Sequence, residues 1–345
     1  MKRRGFLALG ALSGLCGCRR EVRQPARRIV RAGVQRRPAM SSVYLAEELG
    51  YFADSGISVR FHEMPTTAQT VPLLAGGQLD AAFVGASPAV INAVARGARI
   101  RYVAGREIVS ATCGHVGALY ARRSLFPGGA LDLRRLQGRR VALAGQTQIS
   151  EFYLDSILAT AGMNSRDVHI AIMRQPDAAA ALIADRVDAI ASSHFDKDLQ
   201  AMSPKVVRLG ELAELLPGHQ YSYIAFGPTL LDGDRETGVR FLIAYLRGAE
   251  QFRRGRTQRF LEDLARESNM DLDAVRQGCR DTVTPDGSID LRSLERFQAW
   301  TVRKRYCPEE IDIGRLIETG LLEEAHRRLG VGPDNSSQAD SGGKG

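Results

Sequence analysis

The chain has 345 residues, 44% of them hydrophobic, enough apolar content to bury one large core or two medium ones. Its formal net charge of +8 sits at one end: residues 1–18 hold +3 and residues 19–37 hold +7 (eight arginines against Glu21), which leaves −2 from Pro38 onward. A nearly neutral body excludes nucleic-acid binding as a reading of the high isoelectric point. The basic strip reads as a solvated linker, or as a segment lying against an anionic lipid leaflet.

The first residues have the character of a targeting segment and are set apart from the fold. Lys2-Arg3-Arg4-Gly5-Phe6-Leu7 has the form of a twin-arginine export signal, and the apolar run over 6–15 is too short to span a bilayer. Leu15-Cys16-Gly17-Cys18 has the form of a lipobox, which makes Cys18 the candidate lipidated residue, with an ordinary cleaved signal as the alternative. Of the other cysteines, Cys113, Cys279 and Cys307 show no CxxC or Cys/His ligand spacing, so no metal site is expected. Cys279 and Cys307 either pair in an oxidising compartment or stand as buried thiols.

In chain order, a first strand is expected over 29–33. A helix with Val43, Ala46 and Leu49 on one face follows, ended by Gly50, and then a second strand over 57–61. Pro65-Thr66-Thr67 precedes a short helix over 68–74. Ala81 to Val84 is a brief apolar run bounded by glycines, as for a strand buried on both faces of a parallel sheet. Gly85 turns the chain. Ser87 is placed as an N-cap with Pro88 at the first helical position, and Val90, Ile91, Val94 and Ala95 recur at helical spacing before Gly97. A further strand ends at Gly105.

The crossing into a second lobe is expected at 116–120. There the spacing predicts strands at 141–144, 168–173 and 187–191, a helix with Ile149, Phe152, Tyr153 and Ile157 on one face, and another helix over 178–184. A strand over 221–226 leads into a long helix with Phe241, Ala244, Tyr245 and Ala249 in phase, and the chain stays mostly helical to Leu329. Residues 333–345 are polar and Gly/Ser-rich, a disordered tail by composition.

The run PAMSSVYLAEELGYFADSGISVRF, followed by PTTAQTVPLLAGGQLDAAFVGASPAVINAVARGARIRYVAG, resembles the periplasmic substrate-binding proteins of the nitrate, sulfonate, taurine and thiamine-precursor ABC importers. A weaker likeness continues through GRRVALAGQTQISEFYLDSILATAGM and ALIADRVDAIASSHFD. The resemblance implies an α/β, two-lobed type II periplasmic-binding-protein fold with a ligand cleft between the lobes. It implies residues 29–115 as lobe 1, 116–222 as lobe 2 and 223–332 as a helical return to lobe 1, behind a signal over 1–18 and a basic linker over 19–28. The expected partners are a small-molecule solute and an ABC permease with its ATPase, for a monomer held at the periplasmic membrane surface by a lipid anchor and needing no cofactor.

In this reading four helix starts face one cleft: Ser41-Ser42, Thr66-Thr67, Ala86-Ser87 and Gln146-Thr147. Their backbone N–H groups and helix dipoles suit a sulfonate, carboxylate or nitrate. Each hydroxyl also has a plainer role as an N-cap. His194 at the end of a second-lobe strand and Tyr221 on the return strand, with Tyr223 pointing the same way, complete the candidates. Glu107 is read as a solvent-exposed carboxylate or as the partner of an arginine or a ligand amine. Catalytic signatures are missing: no GxSxG, HExxH, P-loop or GxGxxG, and Asp185 with Asp188 reads as structural. The sequence therefore points to a binding receptor for a small anionic or zwitterionic organic solute, sulfonate- or taurine-like. An enzyme on the same fold acting on a small aromatic or pyrimidine-type metabolite, or a sensory receptor, are the alternatives.

Overall fold

The computed structural model describes residues 27–35, 40–110, 117–144, 147–192, 199–256, 259–267, 272 and 280–330. The expectations placed on Cys18, Cys113, Gln146, His194, Cys279 and both chain ends fall outside them.

Strand β1 (Arg28–Val34), helices α1 (Ser41–Glu48) and α2 (Tyr51–Asp54), β2 (Ile57–Glu63), α3 (Thr67–Ala75), β3 (Ala81–Gly85), α4 (Pro88–Ala95) and β4 (Arg101–Ile108) alternate along the first part of the chain. Gly50, at φ +76°, takes the left-handed turn that carries the chain out of α1. β1 runs parallel to both β2 and β3. The expected parallel sheet is in fact mixed, with order β2-β1-β3-β10-β4, because β10 (Gln220–Phe226) enters antiparallel between β3 and β4. β10 reaches this sheet from the other lobe, so it must run back down the direction in which β3 and β4 run up.

The second sheet has the order β7-β6-β8-β5-β9. Its strands are β5 (Ala118–Arg122), β6 (Arg140–Ala144), β7 (His169–Met173), β8 (Ala189–Ser192) and β9 (Val206–Glu211). Helices α5 (Thr147–Ala159), α6 (Gln175–Ile183), α7 (Leu199–Met202) and α8 (Leu212–Leu215) accompany them. The segment expected as a mere crossing at 116–120 holds the start of a strand, β5, which begins at Ala118 and is antiparallel to both β8 and β9, and β9 was not expected at all. The chain then runs through α9 (Arg235–Arg253), α10 (Arg259–Glu267), α11 (Leu291–Arg303) and α12 (Gly320–Leu329).

Two crossings join the sheets and pair with each other: Val109 N donates to His219 O at 2.8 Å, and Gly218 N to Val109 O at 2.8 Å. One face of the first sheet, with Phe83, Ile224 and Phe226, is covered by α1, α9 and α12, and the in-phase residues Phe241, Ala244, Tyr245 and Ala249 of α9 are all buried there. The other face, with Val84, Tyr102 and Tyr223, packs against α4 and α11. Ile149, Phe152 and Tyr153 of α5 join this second cluster, while Leu154, Ile157 and Leu158 of the same helix pack on the second sheet. Helix α5 thus carries two apolar faces, each at i, i+3, i+4 spacing, as a helix buried on both sides requires, and Ile157 lies on the second of them, not on the expected face with Ile149, Phe152 and Tyr153.

Candidate functional site

The carboxyl end of β3 delivers the chain to Ala86 and Ser87. Ala86 N donates to Tyr221 O at 2.9 Å, which ties the β3–α4 turn to β10. Ser87 Oγ accepts from Ala89 N at 3.2 Å, so this hydroxyl caps α4, with Pro88 in the first turn as the spacing predicts. Tyr221 meets Tyr153 of the second lobe edge-on, with ring centroids 6.3 Å apart at 90°. Ala86, Ser87, Tyr221 and Tyr153 therefore form one junction between the β3–α4 turn, β10 and the middle of α5. Thr147 opens α5, six residues before Tyr153.

The other predicted helix starts behave differently. Thr66 is an exposed N-cap accepting from Gln69 N at 3.3 Å, and Thr67, half-buried, is the first residue of α3. Ser41 and Ser42 are buried but cap nothing: the N-cap of α1 is Met40, with no side-chain bond. They face inward because α1 rides directly on α9. A side chain at Gly248 would come within 2.6 Å of Ser42 O and 2.5 Å of Ala46 Cβ.

Beneath this floor lies a buried charge pair. Arg106 is 1% exposed and Glu107 3%. Arg106 Nη1 donates to Ser222 Oγ at 2.9 Å, its guanidinium carbon stands 5.2 Å from the Phe83 ring centre, and Nη2 is 3.7 Å from Glu107 Oε2. Glu107 is thus not solvent-exposed, and its partner is the adjacent arginine. Burial raises the Tyr245 phenol above its ordinary range, while Arg106 and Ser42 beside it pull in the opposite direction. The two charges cancel in sum, so what this part of the first lobe offers a solute is the dipole of α4 and the hydroxyls of the junction.

His219, missed in the sequence, sits in the paired crossings and is 1% exposed. Its ring lies 5.1 Å from that of Phe152, and its Nδ1 is 3.4 Å from Arg296 Nη1. Burial, and then the Arg296 charge, push its pKa down to about 4 against the pull of Asp290. The signal available for it was only its place in a Pro-Gly-His turn before a strand. Gln220 next to it fastens the crossing to the C-terminal region, with Nε2 donating to Ser288 O at 2.9 Å and Oε1 accepting from Asp290 N at 3.0 Å.

Asp188 is structural. Its carboxylate accepts from Arg140 N at 2.9 Å and pairs with Arg122, and these bonds outweigh its burial and hold its pKa low. Cys307 is a free, buried thiol whose pKa is pushed up by burial, with Sγ 3.9 Å from Pro88 O. Among the described residues no group of His, Cys, Asp or Glu could hold a metal ion, and no helix is long and apolar enough to cross a membrane. Two cavities, about 670 and 200 Å³, are lined by none of the predicted ligand residues.

Two α/β lobes joined by two paired crossings define the type II periplasmic-binding-protein fold. The chain belongs to the NMT1/THI5-like family, whose model matches residues 37–254. Among solved structures, the alkanesulfonate-binding protein SsuA from Xanthomonas axonopodis pv. citri, bound to MOPS, is 18% identical with a TM-score of 0.64, over 86% of this chain and 99% of that one. The periplasmic nitrate-binding protein NrtA from Synechocystis PCC 6803 is 13% identical with a TM-score of 0.66, over 89% and 90%. The desulfurization enzyme DSZB is 14% identical with a TM-score of 0.61, over 88% and 100%. No curated protein matches the sequence.

Proposed function

We propose that this protein is the extracytoplasmic solute-binding receptor of an ABC importer, held at the periplasmic membrane surface through Cys18. Its solute is small, organic and anionic or zwitterionic, of the sulfonate or taurine type. The observation that carries the reading is the junction itself: the α4 start at Ala86-Ser87 is tied to β10, whose Tyr221 meets Tyr153 of the second lobe's α5, a helix that opens at Thr147. Backbone N–H groups at two helix starts favour a negative group by roughly 0.3–1 kcal/mol each when exposed, and more when enclosed. A solute touching both lobes at once favours the closed population. Two proteins of similar structure, one alkanesulfonate-binding and one nitrate-binding, take anions of this kind.

The DSZB likeness raises an enzyme on the same fold. Against it stands Cys307, the one thiol among the described residues, which lies beside the α4 start and is buried with a raised pKa, the opposite of an activated nucleophile. The test is thermal unfolding of a soluble form lacking residues 1–23 against taurine, alkyl and aryl sulfonates, nitrate, aromatic carboxylates and pyrimidines. A solute at about 100 times its dissociation constant stabilises by ~2.7 kcal/mol, several degrees in melting temperature. The expected outcome is a saturable shift with one anionic class and recovery of that compound unchanged. Chemical conversion would favour the enzyme, and no shift with any anion would remove the reading. Palmitate labelling of the full chain, lost in Cys18→Ser, checks the anchor.

A further inference from the structure

Helix α11 packs against the first sheet along most of its length, yet its end is fastened to the second lobe. Trp300 Nε1 donates to Asp155 Oδ2 at 2.8 Å. Lys304 Nζ lies 2.7 Å from Glu151 Oε1 and 3.5 Å from Asp155 Oδ2, and donates to Ser165 Oγ at 2.5 Å. The Tyr306 hydroxyl donates to Glu151 Oε2 at 2.5 Å. Ser165 closes the network, its N donating to Asp155 Oδ1 at 2.5 Å and its Oγ to Glu151 Oε1 at 3.1 Å. Glu151 and Asp155 both lie on α5, four residues apart and thus on one face, and both are buried. Beside them, Phe152 packs edge-on against Trp300 at 5.5 Å and against Phe297 at 5.6 Å.

We propose that this contact between α5 and α11 is a permanent pivot, about which the lobes turn together with the paired crossings, and that Lys304 is the positioning residue that holds it shut. The inference rests on the solute-receptor reading for its consequence, since α5 carries Tyr153 to the junction where the solute is placed. A cleft that opens in every cycle exposes surfaces that tolerate water. This contact has the opposite makeup: opening it would wet three aromatic rings and strip one ammonium from two buried carboxylates, a change that leaves uncompensated charge in an apolar setting. Lobe movement is thereby confined to the side away from α11. The α5 start keeps its place relative to Ser87, and closure takes the form of small sliding at a packed interface more than a wide hinge.

Trp300 is the only tryptophan in the chain and is 4% exposed, so its emission reads the pivot directly and needs no solute. Acrylamide quenching of the solute-free, full-length protein is expected to be about five-fold weaker than that of free N-acetyltryptophanamide, as for a contact that does not open locally. Lys304→Met, checked for native circular dichroism, should raise the quenching constant about two-fold or more, and Lys304→Arg should restore it. Tyr306→Phe, which removes a single bond, provides the same readout if Lys304→Met does not fold. Solute-free protein quenched like an exposed indole would overturn the pivot, and quenching unchanged in Lys304→Met and Tyr306→Phe would overturn the role of Lys304. Neither result depends on the solute panel, so failure of the receptor reading and failure of the pivot remain distinguishable.

Discussion

His219 gives the molecule a specific acid sensitivity. Its pKa is held at about 4, well below the 6.5 of a free imidazole, because protonation would place a cation in a buried crossing beside Arg296. Above pH 6.5 the ring is neutral in both folded and unfolded chains and contributes no pH dependence. Between pH 6.5 and 4 the unfolded chain takes up a proton that the folded one refuses, so stability falls as pH falls, by on the order of 3 kcal/mol over the whole window. Urea unfolding at pH 7 and pH 4.5 should therefore show a smaller acid loss in His219→Gln than in the native chain. Equal losses in the two proteins would mean that His219 is free to protonate in place. The Arg106–Glu107 pair differs in kind, because two opposite charges 3.7 Å apart are buried together, with the carboxylate Oε2 left without a hydrogen-bond partner among the described residues. In the sequence Glu107 reads as an exposed carboxylate after a strand, with an arginine or a ligand amine as the alternative partner, and nothing local decides between them.

Helices α1 and α9 meet with almost no space between them, and Gly248 is the reason. In an open helix position, replacing glycine with alanine gains roughly 1 kcal/mol of helix propensity. At Gly248 the added methyl would stand 2.5 Å from Ala46 Cβ and 2.6 Å from Ser42 O, closer than real contacts permit. Overpacking of that kind costs about 1–3 kcal/mol, so the net effect of Gly248→Ala should be a lower melting temperature. A raised melting temperature would show that α1 can slide aside without penalty. Elements of this sort were largely legible beforehand. Ser87 and Thr66 cap their helices where the spacing placed them, and the in-phase residues of α9 all point inward. Strands β5 and β9 were not legible. Each is short, β9 is an edge strand carrying Arg208 and Gly210, and β5 takes its burial from the neighbours β8 and β9, not from an alternation of its own. The insertion of β10 between β3 and β4 is a pairing across more than a hundred residues, which local periodicity does not encode. Tyr153 was placed correctly on a helix face, but its partner Tyr221 belongs to the other lobe, so the junction became visible only in three dimensions.

At the scale of the whole molecule, two sheets with separate helical covers could unfold as two units. The packing argues for one. Ile149, Phe152, Tyr153 and Leu212 come from the second-lobe segment, and they share a continuous buried cluster with Val84, Tyr223, Phe297 and Trp300 of the first. Burying each such large side chain is worth roughly 1.5–3 kcal/mol, so the shared cluster couples the lobes by an amount comparable to the stability of a small domain. Unfolding either lobe alone would expose the other's half of that cluster, which is why the intermediate is disfavoured. Chemical denaturation of the native chain is therefore expected to give a single transition, with Trp300 emission and far-ultraviolet circular dichroism superimposed. Phe152→Ala, which empties the centre of the cluster at a cost of about 3–5 kcal/mol, should lower the midpoint and pull the two curves apart. Two resolved transitions in the native chain would instead mean that the lobes hold themselves up separately and that the aromatic layer between them is only a contact.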